Sequence, residues 1–299
     1  MNVAAIDLGT NSVRLLVSDG REDIERTAVI TRLGARVSRT GHLDTAGIEK
    51  TLEVMRRFRE SLNTHRVERV RVVATEAARQ AHDTESFFDR VHAALGHRPE
   101  LIDGHTEATF AFTGATAGLD SADGPFCVID AGGGSTEFSV SGPDGIRAVS
   151  VPVGSVRLTE GEILHDPPLP EELTNAIGVA ADHLADVERE LPEVRDARLV
   201  GVAGTILTMA AVEIGMATWD RTRVDRFWLS RAAAEDVFRT LATEPLADRV
   251  HNPGVTRDRA DVIVAGCCIV VAILRGLQAP GILVRDSDML DGIVASLLA

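Results

Sequence analysis

The sequence predicts an α/β fold of two related domains, each with a mixed sheet flanked by helices. The first observation is a repeated pattern of apolar run, glycine turn and second apolar run, near residue 7 and again near residue 130. Aspartate, glycine and serine keep the same register in both copies, which indicates a duplication at the scale of a domain. The second observation is that short apolar runs then alternate with longer segments of helical periodicity, which favours sheets covered by helices.

The first half of the chain opens with three apolar segments that are separated by turn signals. They predict strands over residues 3–8, 13–18 and 24–33. A helix is predicted over residues 45–64, because Ile48, Leu52 and Met55 recur at helical spacing. The remaining predicted elements are strands over residues 69–74 and 100–102 and helices over residues 75–81, 85–95 and 106–118.

A turn-rich segment over residues 121–125 separates the two halves. We therefore predict an N-terminal domain over residues 1–120 and a C-terminal domain over residues 121–299, both large enough for a core of their own. The second half again begins with a strand, a glycine turn and a strand. Its later predicted elements are helices over residues 170–190, 205–214, 261–275 and 290–298 and strands over residues 199–203 and 282–285.

Composition and charge exclude several classes of protein. A net charge of −14 argues against non-specific binding to nucleic acid. No apolar run approaches the roughly 20 residues of a membrane span, and the N-terminus has no basic leader region. The three cysteines fit neither a disulfide framework nor a zinc site. We expect a cytoplasmic protein that binds neither membrane nor nucleic acid.

The two glycine turns are the first candidate site. Each places an aspartate, Asp7 or Asp130, at the end of a predicted strand. Glycine and other small residues allow backbone N–H groups to approach an anion, and a carboxylate beside them could hold a divalent cation, directly or through water. The three glycines over residues 132–134 exceed what a plain hairpin needs. Two such hairpins facing each other would clamp a phosphate chain and its metal.

Two further segments carry possible chemistry, and each also has a structural explanation. Residues 201–205 join a strand to a helix, whose N-terminus can bind phosphate, although a tight connection alone would explain the glycines. Glu107 lies in the first turn of a predicted helix. It could orient and deprotonate a water molecule for phosphoryl transfer, or it could simply cap the helix.

Taken in order along the whole chain, these motifs resemble the exopolyphosphatase and guanosine pentaphosphate phosphohydrolase family. That family belongs to the actin-like superfamily, with sugar kinases and heat-shock chaperone ATPases. Each motif alone is weak, but together they are specific. The motifs are AIDLGTNSVRL at 5–15, VATEAAR at 73–79, GHTEA at 104–108, DAGGGSTE at 130–137, PVGSVRLTE at 152–160 and GVAGT at 201–205.

The resemblance implies two actin-like (ribonuclease H-like) domains with the active site in the interdomain cleft. The substrate would be inorganic polyphosphate or pppGpp. Glu107 would be the base for the attacking water, and Arg79 would be a catalytic phosphate ligand. Magnesium, or manganese, would bind near Asp7, Asp130 and Glu137. The implied phosphate-binding residues are Gly9, Thr10, Asn11, Ser12, Arg14, Gly132, Gly133, Gly134, Ser135, Thr136, Gly204 and Thr205.

Two positions depart from the family pattern. Glu76 stands where relatives usually have serine, which adds negative charge near Arg79, and Thr106 stands where a second glutamate is usual. The chain resembles the short, two-domain form of the family, so short polyphosphate chains are the expected substrate. A homodimer is expected from the resemblance alone.

Three other functions stay open at the level of the sequence. The protein could be a pppGpp 5′-phosphohydrolase, because the same clamp would serve either terminal phosphate. Less favoured are an ATP-dependent small-molecule kinase and a non-catalytic sensor of polyphosphate or alarmone. Glu107 at the place of a hydrolytic base argues against the kinase, and the intact acidic set argues against the sensor.

Overall fold

The computed structural model describes residues 1–142 and 145–299 and divides the chain into two compact units. The first unit consists of Met1–Gly114 and Met289–Ala299, and the second consists of Ala115–Asp288. Each unit has a mixed sheet with helices against it, as the sequence predicts.

The sheet of the first unit has the strand order β3-β2-β1-β4-β5. Its strands are β1 (Val3–Leu8), β2 (Ser12–Ser18), β3 (Asp23–Ile30), β4 (Arg69–Ala74) and β5 (Glu100–Leu101). β1 pairs antiparallel with β2 and parallel with β4, and β2 pairs antiparallel with β3. All six residues of β1 are buried, which explains why this strand is a continuous apolar run interrupted only by Asp7.

Helices connect or follow these strands over residues 37–116. They are α1 (Val37–Thr40), α2 (Thr45–Thr64), α3 (Glu76–Gln80), α4 (Thr84–Leu95) and α5 (Gly104–Thr116). α2 begins where predicted, because the Asp44 carboxylate accepts a hydrogen bond from the Gly47 N–H at 2.8 Å. Its apolar stripe, including Leu52 and Met55, is buried against the sheet core.

The second unit repeats the arrangement of the first. Its strands are β6 (Phe126–Ala131), β7 (Thr136–Gly142), β8 (Gly145–Val151), β9 (Arg198–Val202), β10 (Trp228–Ser230) and β11 (Gly281–Val284). The order β10-β11-β9-β6-β7-β8 contains β8-β7-β6-β9, which corresponds strand for strand to β3-β2-β1-β4. β6 pairs antiparallel with β7 and parallel with β9, as β1 does with β2 and β4. The duplication inferred from the turns therefore extends to topology.

The helices of the second unit pack around one apolar core. They are α6 (Ser155–Glu162), α7 (Pro170–Glu190), α8 (Ala203–Ile214), α9 (Arg221–Val224), α10 (Arg231–Thr243), α11 (Leu246–Arg249) and α12 (Ile263–Gly276). α12 is buried over nearly its whole length, which explains its unbroken apolar sequence. Burial raises the pKa of Cys127 and of Cys268 to about 12, so both stay protonated, unreactive thiols.

The unit boundaries differ from the predicted division after residue 120. The last helix, α13 (Met289–Leu298), packs on β1 and therefore belongs to the first unit. The helix α13 also packs closely against α5, because a Cβ added at Gly292 would lie 2.0 Å from the Phe110 carbonyl oxygen. At the other boundary, the buried Arg285 donates to the carbonyl oxygens of Ala115 and Ala117, which holds this segment in the second unit.

Within residues 1–142 and 145–299, none of the helices is both long enough and apolar enough to cross a bilayer.

The N-terminus of α7 is held by a buried carboxylate. Glu172 accepts hydrogen bonds from the backbone N–H groups of Leu164 and Leu169, at 3.0 and 2.9 Å. Its other close partner is the His165 ring, 2.8 Å from the same oxygen that Leu164 contacts. The hydrogen bond from His165, against some opposition from burial and with help from the two backbone N–H groups, lowers the pKa of Glu172 to about 2.

This lowered pKa predicts a pH-dependent contribution to stability. The carboxylate stabilises the fold fully above about pH 4.5, and that contribution is lost as the pH falls towards 2. Glu172→Gln should therefore destabilise the protein at pH 7 more than at pH 3.5 in urea unfolding. The neighbouring exposed Glu171→Gln is the control. An equal loss for Glu172→Gln at both pH values would contradict the assignment.

Candidate active site

The first glycine turn is closed by a backbone hydrogen bond and carries an ion pair. The Gly9 N–H donates to the Ser12 carbonyl at 3.0 Å, and a Cβ at Gly9 would lie 3.0 Å from that oxygen. Asp7 on β1 lies directly opposite Arg14 on β2. The Arg14 Nε and Nη2 atoms each lie 2.9 Å from Asp7 Oδ2, and Asp7 is only 3% exposed. The guanidinium thus neutralises a buried carboxylate inside the hairpin.

The second glycine turn has the same backbone geometry and a different charge pattern. The Gly132 N–H donates to the Ser135 carbonyl at 3.0 Å, as in the first turn. Asp130 on β6 lies directly opposite Glu137 on β7, so a glutamate occupies the position that Arg14 occupies in the first hairpin. Both carboxylates are buried, and the Ser150 hydroxyl donates to Glu137 Oε1 at 2.7 Å.

Each turn accepts backbone hydrogen bonds from a locking segment, which is the stretch of chain directly after β3 in the first unit and after β8 in the second. In the first unit, the Gly34 N–H donates to the Thr10 carbonyl at 2.8 Å and the Arg32 N–H donates to the Asn11 carbonyl at 3.0 Å. In the second unit, the N–H groups of Ser155 and Val156, at the start of α6, donate to the carbonyls of residues 132 and 133 at 3.0 and 2.9 Å.

Sequence reasoning singled out the second of these segments, within the motif at 152–160, but it did not predict a role for the first, at residues 31–34. It extended β3 to residue 33, whereas the strand ends at Ile30 and the chain then turns towards the glycine loop. A recognisable signal existed, because Leu33-Gly34 and Val153-Gly154 occur at corresponding places in the two halves. A Cβ at Gly154 would lie 2.5 Å from the Gly133 carbonyl oxygen, so the close approach requires glycine.

Glu107 is buried in the first turn of α5 and is oriented by Arg79. The capping function belongs to Asp103, whose carboxylate accepts the Thr106 N–H at 2.8 Å, so capping does not explain Glu107. Glu107 is 8% exposed, and its Oε2 atom lies 2.8 Å from Arg79 Nη1. The same Nη1 atom donates to the Ile102 carbonyl at 2.9 Å, which fixes the guanidinium at the end of β5.

Arg79 is also paired with Glu76, the residue that departs from the family pattern. The Arg79 Nε and Nη2 atoms lie 3.1 and 2.9 Å from Glu76 Oε2. Burial alone would lower the pKa of Arg79, but the adjacent Glu107 and Glu76 carboxylates raise it above its ordinary value. Arg79 is therefore a permanent cation between two carboxylates.

The segment over residues 201–205 begins α8 with an unusual backbone conformation. Ala203 has a φ of 69°, in the left-handed region that non-glycine residues rarely adopt. The Arg259 guanidinium lies against Gly204, where an added Cβ would be 1.9 Å from its Nη1 atom. Thr205 is 4% exposed and packs against Gly266 of α12. Phosphate binding by Gly204 and Thr205 stays a prediction.

The metal site also stays a prediction. In the part of the chain that the structure describes, no group of three or more His, Cys, Asp or Glu side chains is arranged to hold a metal ion. The second hairpin nevertheless supplies two carboxylates at directly opposite positions, which are ligands of the kind that magnesium and manganese prefer.

Comparisons with known proteins identify the family to which this chain belongs. The two mixed-sheet units, together with the solved structure described below that superposes over 99% of this chain, confirm the predicted actin-like fold class. The Ppx/GppA phosphatase family matches residues 16–299, and the chain belongs to that family. Exopolyphosphatase 2 of Mycobacterium tuberculosis is 35% identical over 99% of this chain and 98% of its own length.

A second curated relative and a solved structure extend the comparison. The guanosine-5′-triphosphate,3′-diphosphate pyrophosphatase of Aliivibrio fischeri is 26% identical over 97% of this chain and 58% of its own length. The crystal structure of an exopolyphosphatase-like protein superposes with a TM-score of 0.94 at 31% identity, covering 99% of this chain and 98% of that one.

The close approach of Gly154 to the second glycine turn predicts the effect of a single methyl group. Gly154→Ala should force the backbone of residues 133–134 to move, because the added Cβ would lie 2.5–2.6 Å from backbone atoms that have little freedom. We expect a loss of about 1–3 kcal/mol in unfolding free energy, with a loss of phosphate-releasing activity.

Gly161→Ala is the matched control, because it adds the same methyl group to α6 with no atom within 4 Å. It should leave the turn intact and slightly stabilise the helix. Equal effects of the two substitutions would show that the approach of Gly154 to the turn is unimportant.

Proposed function

We propose that this protein hydrolyses the terminal phosphoanhydride bond of inorganic polyphosphate and releases orthophosphate. The observation that supports this proposal is the buried Glu107 carboxylate, held by Arg79 at 2.8 Å and not needed as a helix cap. Membership of the Ppx/GppA phosphatase family and a relative named exopolyphosphatase along its whole length support the same reaction.

In the proposed reaction, Glu107 accepts a proton from the attacking water. The water oxygen bonds to the terminal phosphorus, and the bond from that phosphorus to the bridging oxygen breaks. The products are orthophosphate and a chain shortened by one phosphate. Arg79 keeps the Glu107 carboxylate in one orientation, which lowers the entropic cost of placing the base.

Each glycine turn is proposed to bind phosphate groups of the substrate. Both turns are held rigid by hydrogen bonds from behind, so their backbone N–H groups need little reorganisation when an anion binds. The proposed phosphate-binding residues are those of the two turns, namely Gly9, Thr10, Asn11, Ser12, Gly132, Gly133, Gly134, Ser135 and Thr136. Arg14 is proposed to reach phosphate while it remains beside Asp7.

A divalent cation fits the second hairpin better than the first. Asp130 and Glu137 are buried and directly opposite each other, and a hard cation between them relieves the repulsion of like charges. Asp7 already has Arg14 beside it. We therefore propose Asp130 and Glu137 as the direct ligands of magnesium or manganese, with Asp7 at most a ligand through water. The bound cation would neutralise charge on the transferring phosphoryl group.

The second candidate function is pppGpp 5′-phosphohydrolysis. It is supported by the relative from A. fischeri, which is a guanosine-5′-triphosphate,3′-diphosphate pyrophosphatase. The same base and the same turns would serve a terminal phosphate on either substrate, so only rates can separate the two. A cytoplasmic location and a homodimer remain expectations from the sequence.

The role of Glu107 predicts a separation of binding from turnover. Wild type should release orthophosphate from tripolyphosphate and longer chains with magnesium, measured in a length series with pppGpp alongside. Glu107→Gln should slow release by about 10²- to 10⁴-fold while it still binds substrate, because the amide accepts no proton at neutral pH.

Glu100→Gln removes a charge from the exposed end of β5 and should leave the rate unchanged. Unchanged hydrolysis by Glu107→Gln would remove Glu107 from the mechanism. If wild type released orthophosphate from pppGpp but from no polyphosphate, pppGpp 5′-phosphohydrolysis would replace polyphosphate hydrolysis as the proposed function.

The metal proposal predicts a change in metal affinity in the second hairpin. Asp130→Asn and Glu137→Gln should each raise the manganese concentration needed for half-saturation by at least about tenfold, measured by electron paramagnetic resonance without substrate. The control is Asp123→Asn, an exposed carboxylate of the same unit that pairs with Arg198. Unaltered manganese binding in both hairpin variants would exclude these two residues as ligands.

A further inference from the structure

We propose that Glu76 weakens the binding of substrate, because it occupies the phosphate-binding edge of Arg79 and must be displaced by the substrate. This inference rests on the proposed function and on the role of phosphate ligand that the family resemblance implies for Arg79. It assigns to Glu76 the position that a phosphate oxygen would otherwise take.

All three nitrogens of the Arg79 guanidinium already have hydrogen-bond partners. The edge formed by Nε and Nη2 is the one that normally meets carboxylate or phosphate side-on. Glu76 Oε2 lies 3.1 Å from Nε and 2.9 Å from Nη2, so one carboxylate oxygen spans this edge. The remaining nitrogen, Nη1, is committed to Glu107 and to the Ile102 carbonyl.

The Glu76 side chain is itself held in place. It lies one helical turn from Arg79 on α3, at the i,i+3 spacing that brings side chains together. The Gln80 amide donates to the other Glu76 oxygen. The Glu76 side chain is 16% exposed and that of Arg79 is 19% exposed, so their attraction is only partly screened by water.

The local charge balance sets the direction of the effect. One guanidinium faces the two carboxylates Glu76 and Glu107, so a polyanion approaching Arg79 meets a pair of negative groups. Phosphate can take the Nε and Nη2 edge only if Glu76 swings away. Glu76 should therefore weaken binding of phosphate chains and should also hasten release of the orthophosphate product.

The test compares Glu76→Gln and Glu76→Ala with wild type, using tripolyphosphate as the substrate and orthophosphate as the product inhibitor. We expect the KM for tripolyphosphate and the inhibition constant for orthophosphate to fall by about five- to tenfold, with kcat within about threefold of wild type. Glu76→Asp keeps a carboxylate at this position, so its KM should stay close to that of wild type. Glu85→Gln, which removes a charge from the exposed pair with Arg98, is the control and should change neither constant.

Two results would overturn the inference. One is a fall in kcat with KM unchanged in Glu76→Gln, because Glu76 would then position Arg79 towards Glu107 rather than compete with substrate. The other is an equal fall in KM when Glu76→Gln is made on top of Arg79→Ala, because simple repulsion of the substrate would then explain the whole effect.

The affinity for tripolyphosphate, measured by calorimetry, tests this inference even if the protein does not hydrolyse the substrate. If wild type hydrolyses neither polyphosphate nor pppGpp, the proposed function fails. Tighter binding of tripolyphosphate by Glu76→Gln than by wild type and Glu85→Gln would still support the competition at Arg79. Equal binding by all three proteins would contradict it, whether or not hydrolysis occurs.

Discussion

The burial of carboxylates is the constraint on which the rest of this structure depends. Asp7, Glu107, Asp130 and Glu137 are all at most 8% exposed, and an ionised carboxylate is costly to bury unless its charge is compensated. In the first unit, arginines supply the compensation, since Arg14 meets Asp7 and Arg79 meets Glu107. In the second hairpin, Glu137 stands opposite Asp130 where Arg14 stands opposite Asp7 in the first, and this difference is the basis for proposing the second hairpin as the cation site.

The duplicated topology gives these charges a rigid frame. In both units the next-to-last residue of the first strand is an aspartate, a backbone hydrogen bond of 3.0 Å closes the turn, and a later segment donates to the turn carbonyls. Gly34 and Gly154 permit the later segment to come so close, since a Cβ at either position would lie within 2.6 Å of turn atoms. The same frame therefore carries different cross-strand pairs, Asp7 with Arg14 in the first unit and Asp130 with Glu137 in the second.

Much of the fold and part of the candidate site could be predicted from local sequence patterns. The strands on either side of Asp7 and Asp130 were predictable because apolar runs and glycine turns specify hairpins through short-range interactions. Asp44 and the stripe through Leu52 likewise specify α2. Prediction failed where a contact joins distant parts of the chain. It extended β3 through residues that instead lock the first turn, and it placed the last helix with the second domain although α13 packs on β1.

The sequence by itself determined the duplication, the hairpins, the positions of their acidic residues and the family. These depend on residue order and on contacts between neighbours in the chain, which periodicity and turn chemistry express directly. Only the tertiary structure decided which side chain meets which charge. It paired Asp7 with Arg14, put Glu137 opposite Asp130, and held Arg79 between Glu76 and Glu107. Such pairings depend on distances of about 3 Å between side chains on different elements, and packing of the whole unit sets those distances.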